Sequence, residues 1–516
     1  MEYDLGLVLC AVAVVFIAGV WRALVYLTWR PYATTMAFRK QGVGGPGYKF
    51  WSGSNEELKS MQREAMQLVL DNHCHDITLR VQPQYRKWIS QYGDVILFWF
   101  GPKPRLLISD PEMVKQVLAN KFGFYPKPEV PSAIWALLGK GLVLVEGSEW
   151  ARHRRVVNPA FKMDKLKLLT GPMAECAESM LEGWSDLAVQ AADGRGEIEV
   201  AKQFQELTAD IISHTAFGSS YVDGKEVFFA QKQLQMLAAA SILDIEIPGH
   251  RYLPTDRNIT KWKLERRVKN TLVRIIRGRL EASNSSFGND LLGVMMEASQ
   301  KQRGQTMSMD EIIDECKTFF FAGHETTSHL LTWAMFLLST NPDWQERLRA
   351  EVLQECGLQT PNADVLNHLK LVTMVLLETL RLYGPVVQIA RKAGKDMVLG
   401  NISIPKDTAV MIPIMMIHRS KEIWGEDANE FNPLRFENGI SKAAAHPNAL
   451  LAFSIGPRAC IGQNFAMLEA KTVMAMILQR FSFSLSPKYV HAPVETLTLQ
   501  PQFGLPIVFT PLHAPH

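Results

Sequence analysis

Paired cysteines are missing from this chain: Cys10, Cys74, Cys176, Cys316, Cys356 and Cys460 lie scattered over 516 residues with no C-x-x-C among them. That excludes a disulfide framework and a zinc ribbon, and it fits a reducing compartment. Net charge is scarce too. At +3, with signs interspersed, the chain is not a dedicated nucleic-acid binder. No Ser/Gly-rich linker, repeat or low-complexity tract divides it, so its 47 % apolar content is expected to build one large core. A credible dinucleotide fingerprint is also absent. Gly42-Val-Gly44-Gly-Pro-Gly47 matches G-x-G-x-x-G by letter, but a basic segment precedes it, Pro46 sits inside it and Tyr48-Lys-Phe-Trp follows, so it reads as a rigid turn. A zinc-protease helix is excluded by spacing: His324 and His329 stand five apart, which turns the second ring about 140° from the first.

One long hydrophobic run is present. Leu5 to Trp21 is apolar or small throughout and extends through Arg22 to Trp29, a length that suits a bilayer-spanning helix. Glu2 and Asp4 are acidic where a cleaved signal peptide would be basic. Arg22, Arg30, Arg39 and Lys40 follow the span, which places the rest of the chain in the cytoplasm. The sequons at Asn258, Asn284 and Asn401 are therefore expected to stay unmodified. The expected organisation is an anchor over 1–30, a basic and Gly/Pro hinge over 31–59 and a catalytic domain over 60–516.

Beyond residue 60 the text is mostly helical, with 3.6-residue periodicity in segments such as Phe161 to Ala191 and Asn258 to Ala282. Strand-like runs are fewer: Val95-Ile-Leu-Phe-Trp-Phe, Arg105-Leu-Leu-Ile-Ser and Thr408-Ala-Val-Met-Ile. A mainly α body with small sheets at one side follows.

The chemistry concentrates in Phe453-Ser-Ile-Gly456-Pro-Arg458-Ala-Cys460-Ile-Gly462. Gly456 and Gly462 permit tight turns, and the Gly- and Pro-free run Asn464 to Phe481 predicts a helix starting just after Cys460, whose N-terminus lowers the thiol pKa. Cys460 is thus a candidate metal thiolate. A second unusual segment is Phe319-Phe-Phe-Ala322-Gly323-His324-Glu325-Thr326-Thr327-Ser328-His329. It lies inside a helix predicted from the capping box Ser308-Met-Asp-Glu311 to Asn341-Pro342. Gly, an acid and two threonines are out of place in an apolar helix, and together they are expected to open a groove. Glu378-Thr-Leu-Arg381 sets an acid and a guanidinium on one helix face, by itself no more than a surface pair.

Phe-x-x-Gly-x-Arg-x-Cys-x-Gly closely resembles the haem-binding signature of the cytochrome P-450 monooxygenases, in which a cysteine thiolate holds haem b iron and favours O–O cleavage. Ala322-Gly-x-Glu325-Thr326-Thr resembles the family's oxygen-activating motif. That resemblance makes Thr326 the support of the proton network and Glu325 its proton relay. Glu378 and Arg381 resemble the family's Glu-x-x-Arg pair, tied to Arg435 in Pro433-Leu434-Arg435-Phe436; Leu434 stands where many relatives have Glu. Trp150, Arg154 and Arg458 would hold haem propionates, with Phe453 and Gly456 shaping the cofactor loop. Arg152, Arg155, Lys162 and Lys471 would form a cationic rim for an acidic electron donor.

The stretches Glu146-Gly-Ser-Glu-Trp-Ala-Arg-His-Arg-Arg, Leu207-Thr-Ala-Asp-Ile-Ile, Trp424-Gly-Glu-Asp-Ala and His446-Pro-Asn-Ala-Leu-Leu-Ala-Phe look like the plant group called clan 72, most like its family 709. The resemblance implies a single-pass endoplasmic reticulum protein with the P-450 fold. Its partners would be O2, a lipophilic small molecule, NADPH-cytochrome P-450 reductase and, as a second donor, cytochrome b5. A distal wall from Tyr125 to Leu142, Phe319 to Ala322, Val386 to Ile389 and Gln502 to Leu505 is mainly apolar, with Gln388 and Gln502 as candidate polar anchors. That favours fatty acids, hydroxylated in-chain or sub-terminally; a plant hormone (cytokinin, gibberellin, brassinosteroid) or a triterpenoid is the alternative. A non-catalytic haem sensor would need neither the acid-threonine motif nor the rim.

Overall fold

The computed structural model describes residues 2–191, 194–218, 221–245, 249–282, 287–288, 290–300 and 306–512. The sequon Asn284 lies outside them. Asn258 is buried, its amide donating to the His250 and Leu253 carbonyls at 2.9 Å, whereas Asn401 is exposed.

Helix α1 (Glu2–Leu24) passes through a π turn (Val25–Trp29) into α2 (Arg30–Arg39). Proline supplies a cause for the irregular turn: Pro31 has no N–H for the Leu27 carbonyl, which accepts from the Tyr48 hydroxyl at 2.7 Å instead. Gly6–Arg39 is the one helix among the described residues long and apolar enough to cross a membrane. The stretch expected to be a hinge is packed. Phe38 is fully buried with Val43 and Leu97, Gly44 bridges to Ile96, and Gly53 to Phe100. A Cβ on Gly45 would meet the Leu97 carbonyl oxygen at 1.9 Å, so glycine serves close backbone approach there rather than looseness.

The strand-like runs become β1 (Val95–Phe100) and β2 (Lys103–Ile108), antiparallel with Leu97 opposite Leu106. The helical body follows: α3 (Gly147–Val157), α4 (Thr170–Gln190), α5 (Val200–Phe217), α6 (Tyr221–Ser241), α7 (Met309–Thr340) and α8 (Lys370–Tyr383). The single helix expected over Phe161 to Ala191 is broken before α4, where Met163–Leu168 forms a separate short helix. Strands β3 (Ile389–Lys392) and β4 (Ala409–Ile412) complete a four-stranded sheet in the order β1-β2-β4-β3. Then come α9 (Gln463–Arg480) and the hairpin β5 (Pro493–Glu495) and β6 (Leu499–Pro501). The main core gathers around α7, most of whose side chains are buried, and a second apolar cluster lies under the sheet. The outcome is a mainly α body with small sheets, as the periodicities predict.

Candidate active site

Cys460 leads directly into α9, with Gly462 as its N-cap. The Gly462 and Gln463 N–H groups donate toward its sulfur, and the Arg154 charge adds to them; yet burial by surrounding protein is the larger effect and pushes the free thiol up. The expected net lowering is therefore not met by the helix terminus alone. A metal must displace the proton to make the thiolate. The loop is held by Cys460 N–H to the Phe453 carbonyl at 2.9 Å and Ala459 N–H to Gly456 at 3.0 Å. Gly456 has φ +76°, and a Cβ there would lie 2.4 Å from the Leu118 carbonyl oxygen, so only glycine fits. Gly462, at φ −87°, makes no such demand.

In the middle of α7 the residues around position 322 interrupt the burial: Ala322, Gly323 and Thr326 are partly open while Phe319 to Phe321 and Thr327 to Leu338 are buried. The Thr326 hydroxyl donates to the Ala322 carbonyl at 2.9 Å. Gly323 was expected to open a groove, but a Cβ there would meet Ile212 of α5 at 2.7 Å, so its missing side chain lets two helices close on each other.

Glu325 and Thr326 are not joined. The Glu325 carboxylate is 1 % exposed and accepts from Gln235 of α6 at 2.5 Å and from the Thr498 hydroxyl at 3.0 Å. Burial alone would raise it, but the imidazoles, Lys232 and Gln235 outweigh that and hold it ionised, well below the usual carboxylate range. His329 is buried, its imidazole pushed down to about 4 mainly by burial, with Nε2 3.9 Å from the Glu325 carboxylate. His324 bonds the Phe320 carbonyl.

Cations converge beside the cysteine loop. Arg154 donates to the Ala459 carbonyl at 3.2 Å, and Arg458 lies 4.4 Å over the Trp150 ring and 2.6 Å from Glu146. Two residues missed in the sequence join them. Arg391 of β3 is 7 % exposed and pushed down to about 10, first by burial and then by Arg458. Lys127 is pushed down to about 7, by burial and then by Arg391 and Arg458, with only Glu146 opposing. The cations within the otherwise uncharged starts of Tyr-Pro-Lys-Pro and Ile-Ala-Arg-Lys were the available signals. Four cations repelling one another around one carboxylate fit a dianion, as the two propionates of haem provide. With a sulfur at a helix terminus and an open strip on α7, the residues present fit haem.

Behind the loop, Glu378 and Arg381 are 0 % and 1 % exposed. Arg381 donates twice to Glu378 at 2.7 Å, and to the carbonyls of His418, Ala428 and Glu430. Arg435 sits 3.5 Å from Glu378 and 2.6 Å from Asp427. Leu434 is 45 % exposed and outside this network.

The rim is smaller than expected. Arg155 and Lys162 are exposed, but Arg152 is engaged by Glu311 and Thr306, and Lys471 donates to Leu366 at 3.2 Å. Both polar anchors are also occupied: Gln388 accepts from Tyr85 at 3.0 Å and donates to Glu495 at 3.1 Å, while Gln502 accepts from Arg80. Of the expected distal wall, Val386 is open, whereas Phe319, Phe320 and Leu505 are packed into the core.

A family model described as Cytochrome P450 matches residues 73–507. The chain is 49 % identical over 518 residues to Cytochrome P450 709B1 of Arabidopsis thaliana, covering 98 % of this chain and 100 % of that relative. It is 51 % identical over 502 residues to Cytochrome P450 709B3 of the same plant, covering 96 % of each. The solved structure of "Retinoic acid bound cyanobacterial CYP120A1" aligns with a TM-score of 0.76 at 23 % identity, covering 91 % of this chain and 99 % of that one.

Proposed function

The chain belongs to the cytochrome P450 family, in plant clan 72 near family 709, and from that premise we propose that it hydroxylates medium- or long-chain fatty acids at in-chain or sub-terminal carbons. In the net reaction one oxygen atom of O2 enters a C–H bond and the other leaves as water. Haem bound through the Cys460 thiolate supplies the oxygen chemistry. The catalytic domain sits at the endoplasmic reticulum surface behind its anchor and draws electrons from NADPH-cytochrome P-450 reductase, with cytochrome b5 as a second donor.

The protein's own groups have separable tasks. Lys127, Arg154, Arg391 and Arg458 would balance the propionates, and Trp150 backs Arg458. Thr326 keeps a hydroxyl on the open strip of α7; its proton goes to the Ala322 carbonyl at 2.9 Å, which leaves its oxygen to accept from a water and hold that water for proton delivery. Glu325 reaches that strip only on leaving Gln235 and Thr498, so its relay role requires a rotamer change.

The observation that carries the substrate reading is that Gln388 and Gln502 are both occupied by protein partners, so neither is left to orient a polar substrate, and an apolar chain held without one fixed register suits such a site. One observation favours a hormone or triterpenoid instead. Glu495, which accepts from Gln388, is pushed up to about 7, chiefly by burial, so near neutral pH it carries, part of the time, a proton that a polar ligand can accept. Spin-state titration and product analysis with purified reductase and NADPH decide between them: turnover of a hormone or terpenoid with no turnover of any fatty acid overturns the proposal.

A further inference from the structure

Cys176 on α4 and Asp210 and His214 on α5 bring a sulfur, a carboxylate oxygen and an imidazole nitrogen within 4.8 Å of one another. We propose that this triad is a Zn2+ site, separate from the haem. Asp210 and His214 are one turn apart on the same helix face, with Nε2 and Oδ1 at 3.4 Å, and Cys176 faces them from the neighbouring helix. Zinc bonds of about 2.0–2.3 Å in a tetrahedron need such atoms roughly 3.3–3.8 Å apart, a closure that side-chain rotation supplies. A mixed S, N, O donor set suits zinc and not calcium or magnesium, which take oxygen ligands.

The cluster is reachable from one side: Cys176 is half-buried between the helices, Asp210 is partly open and His214 is exposed, so a metal enters from the His214 side. A second cluster, Glu149, His153 and Glu311, is already committed, because Arg152 pairs with Glu311 and His153 bonds Glu315 at 2.6 Å.

Binding balances simply: Cys176 loses its thiol proton to solvent as the sulfur–zinc bond forms, no electron moves, and a water completes the coordination beside exposed His214. The metal would pin α4 to α5. On that helix Ile212 packs against Gly323, and Thr208 bonds the His324 carbonyl at 3.0 Å, so zinc there braces the wall behind the open strip of α7.

The test uses the full-length haem-loaded enzyme in detergent, titrated with ZnCl2 and assayed for zinc per haem after gel filtration. One zinc per haem is expected, with a higher thermal midpoint and Cys176 protected from alkylation. Cys176→Ala and His214→Ala should each weaken binding at least about tenfold, and Glu149→Gln should not. Should Cys176→Ala lose haem, His214→Ala, on an exposed side chain, decides alone. No zinc retained by the wild type at micromolar metal, or retention undiminished in His214→Ala, overturns the proposal.

Discussion

Replacing Glu378 by Ala should cost the protein its haem and much of its stability, not merely slow its turnover. Arg381 uses all its donors, two on Glu378 and the rest on three carbonyls, and it is 1 % exposed, so no water can replace the lost carboxylate. The Asn432 N–H, at 2.9 Å from Glu378, loses its acceptor as well. Stranding a buried charge in this way costs about 3–5 kcal/mol. Against a total of about 5–15 kcal/mol for a typical domain, that leaves little margin. The assay is haem bound per mole of protein, read from the reduced carbon-monoxide spectrum, beside the thermal midpoint. Glu378→Ala/Arg381→Leu, which removes the orphaned charge too, should recover part of the loss. Normal loading and an unshifted midpoint in the single variant would refute the reasoning. A double variant as damaged as the two singles summed would show that the stranded charge is not the main term.

Cys460→Ser should fold but bind haem poorly or inactively, since a hydroxyl is no comparable anionic ligand; an unchanged reduced carbon-monoxide spectrum would remove Cys460 from the axial position. Thr326→Ala should keep the haem spectrum and divert NADPH to peroxide, which a coupling ratio equal to wild type would contradict. Gly456→Ala, forced to φ +76° with its methyl 2.4 Å from Leu118 O, should lower haem loading severalfold, and full loading would show that the loop can shift. Glu495 binds its proton more tightly folded, about 7, than at its ordinary 4.5, so its stabilising contribution is complete below about 4.5 and is lost as pH rises through about 7. Thermal midpoints measured across that window should fall less steeply in Glu495→Gln, and identical slopes would place the proton elsewhere.

How much of this could be read in the chain depended on whether the signal was local. The capping box at Ser308, the stop at Asn341-Pro342 and the cysteine at a helix start each follow from a few adjacent residues, and the structure reproduces them. Glu378 with Arg381 was legible as a pair, but its burial was not, because the three carbonyls that complete it come from 37 to 49 residues further on. Arg391 and Lys127 were missed for the same reason: their meaning lies in mutual approach. Gly323 was misread because the sequence shows that a side chain is absent but not which neighbour, here Ile212, occupies the space.

The anchor has a mechanical consequence. From Glu2 to Arg39 the helix runs on through its π turn, roughly 57 Å at 1.5 Å per residue, against a hydrocarbon layer of about 30 Å. Its far end is clamped by Tyr48 and by buried Phe38, so the helix behaves as a stalk welded to its head and not as a tether. Any tilt of that stalk in the bilayer is passed to the head undiminished. A redox partner held at the same membrane would then meet a target whose height and attitude follow the stalk's tilt, and the search for a productive encounter would shrink from three dimensions and free tumbling towards a slide within a plane.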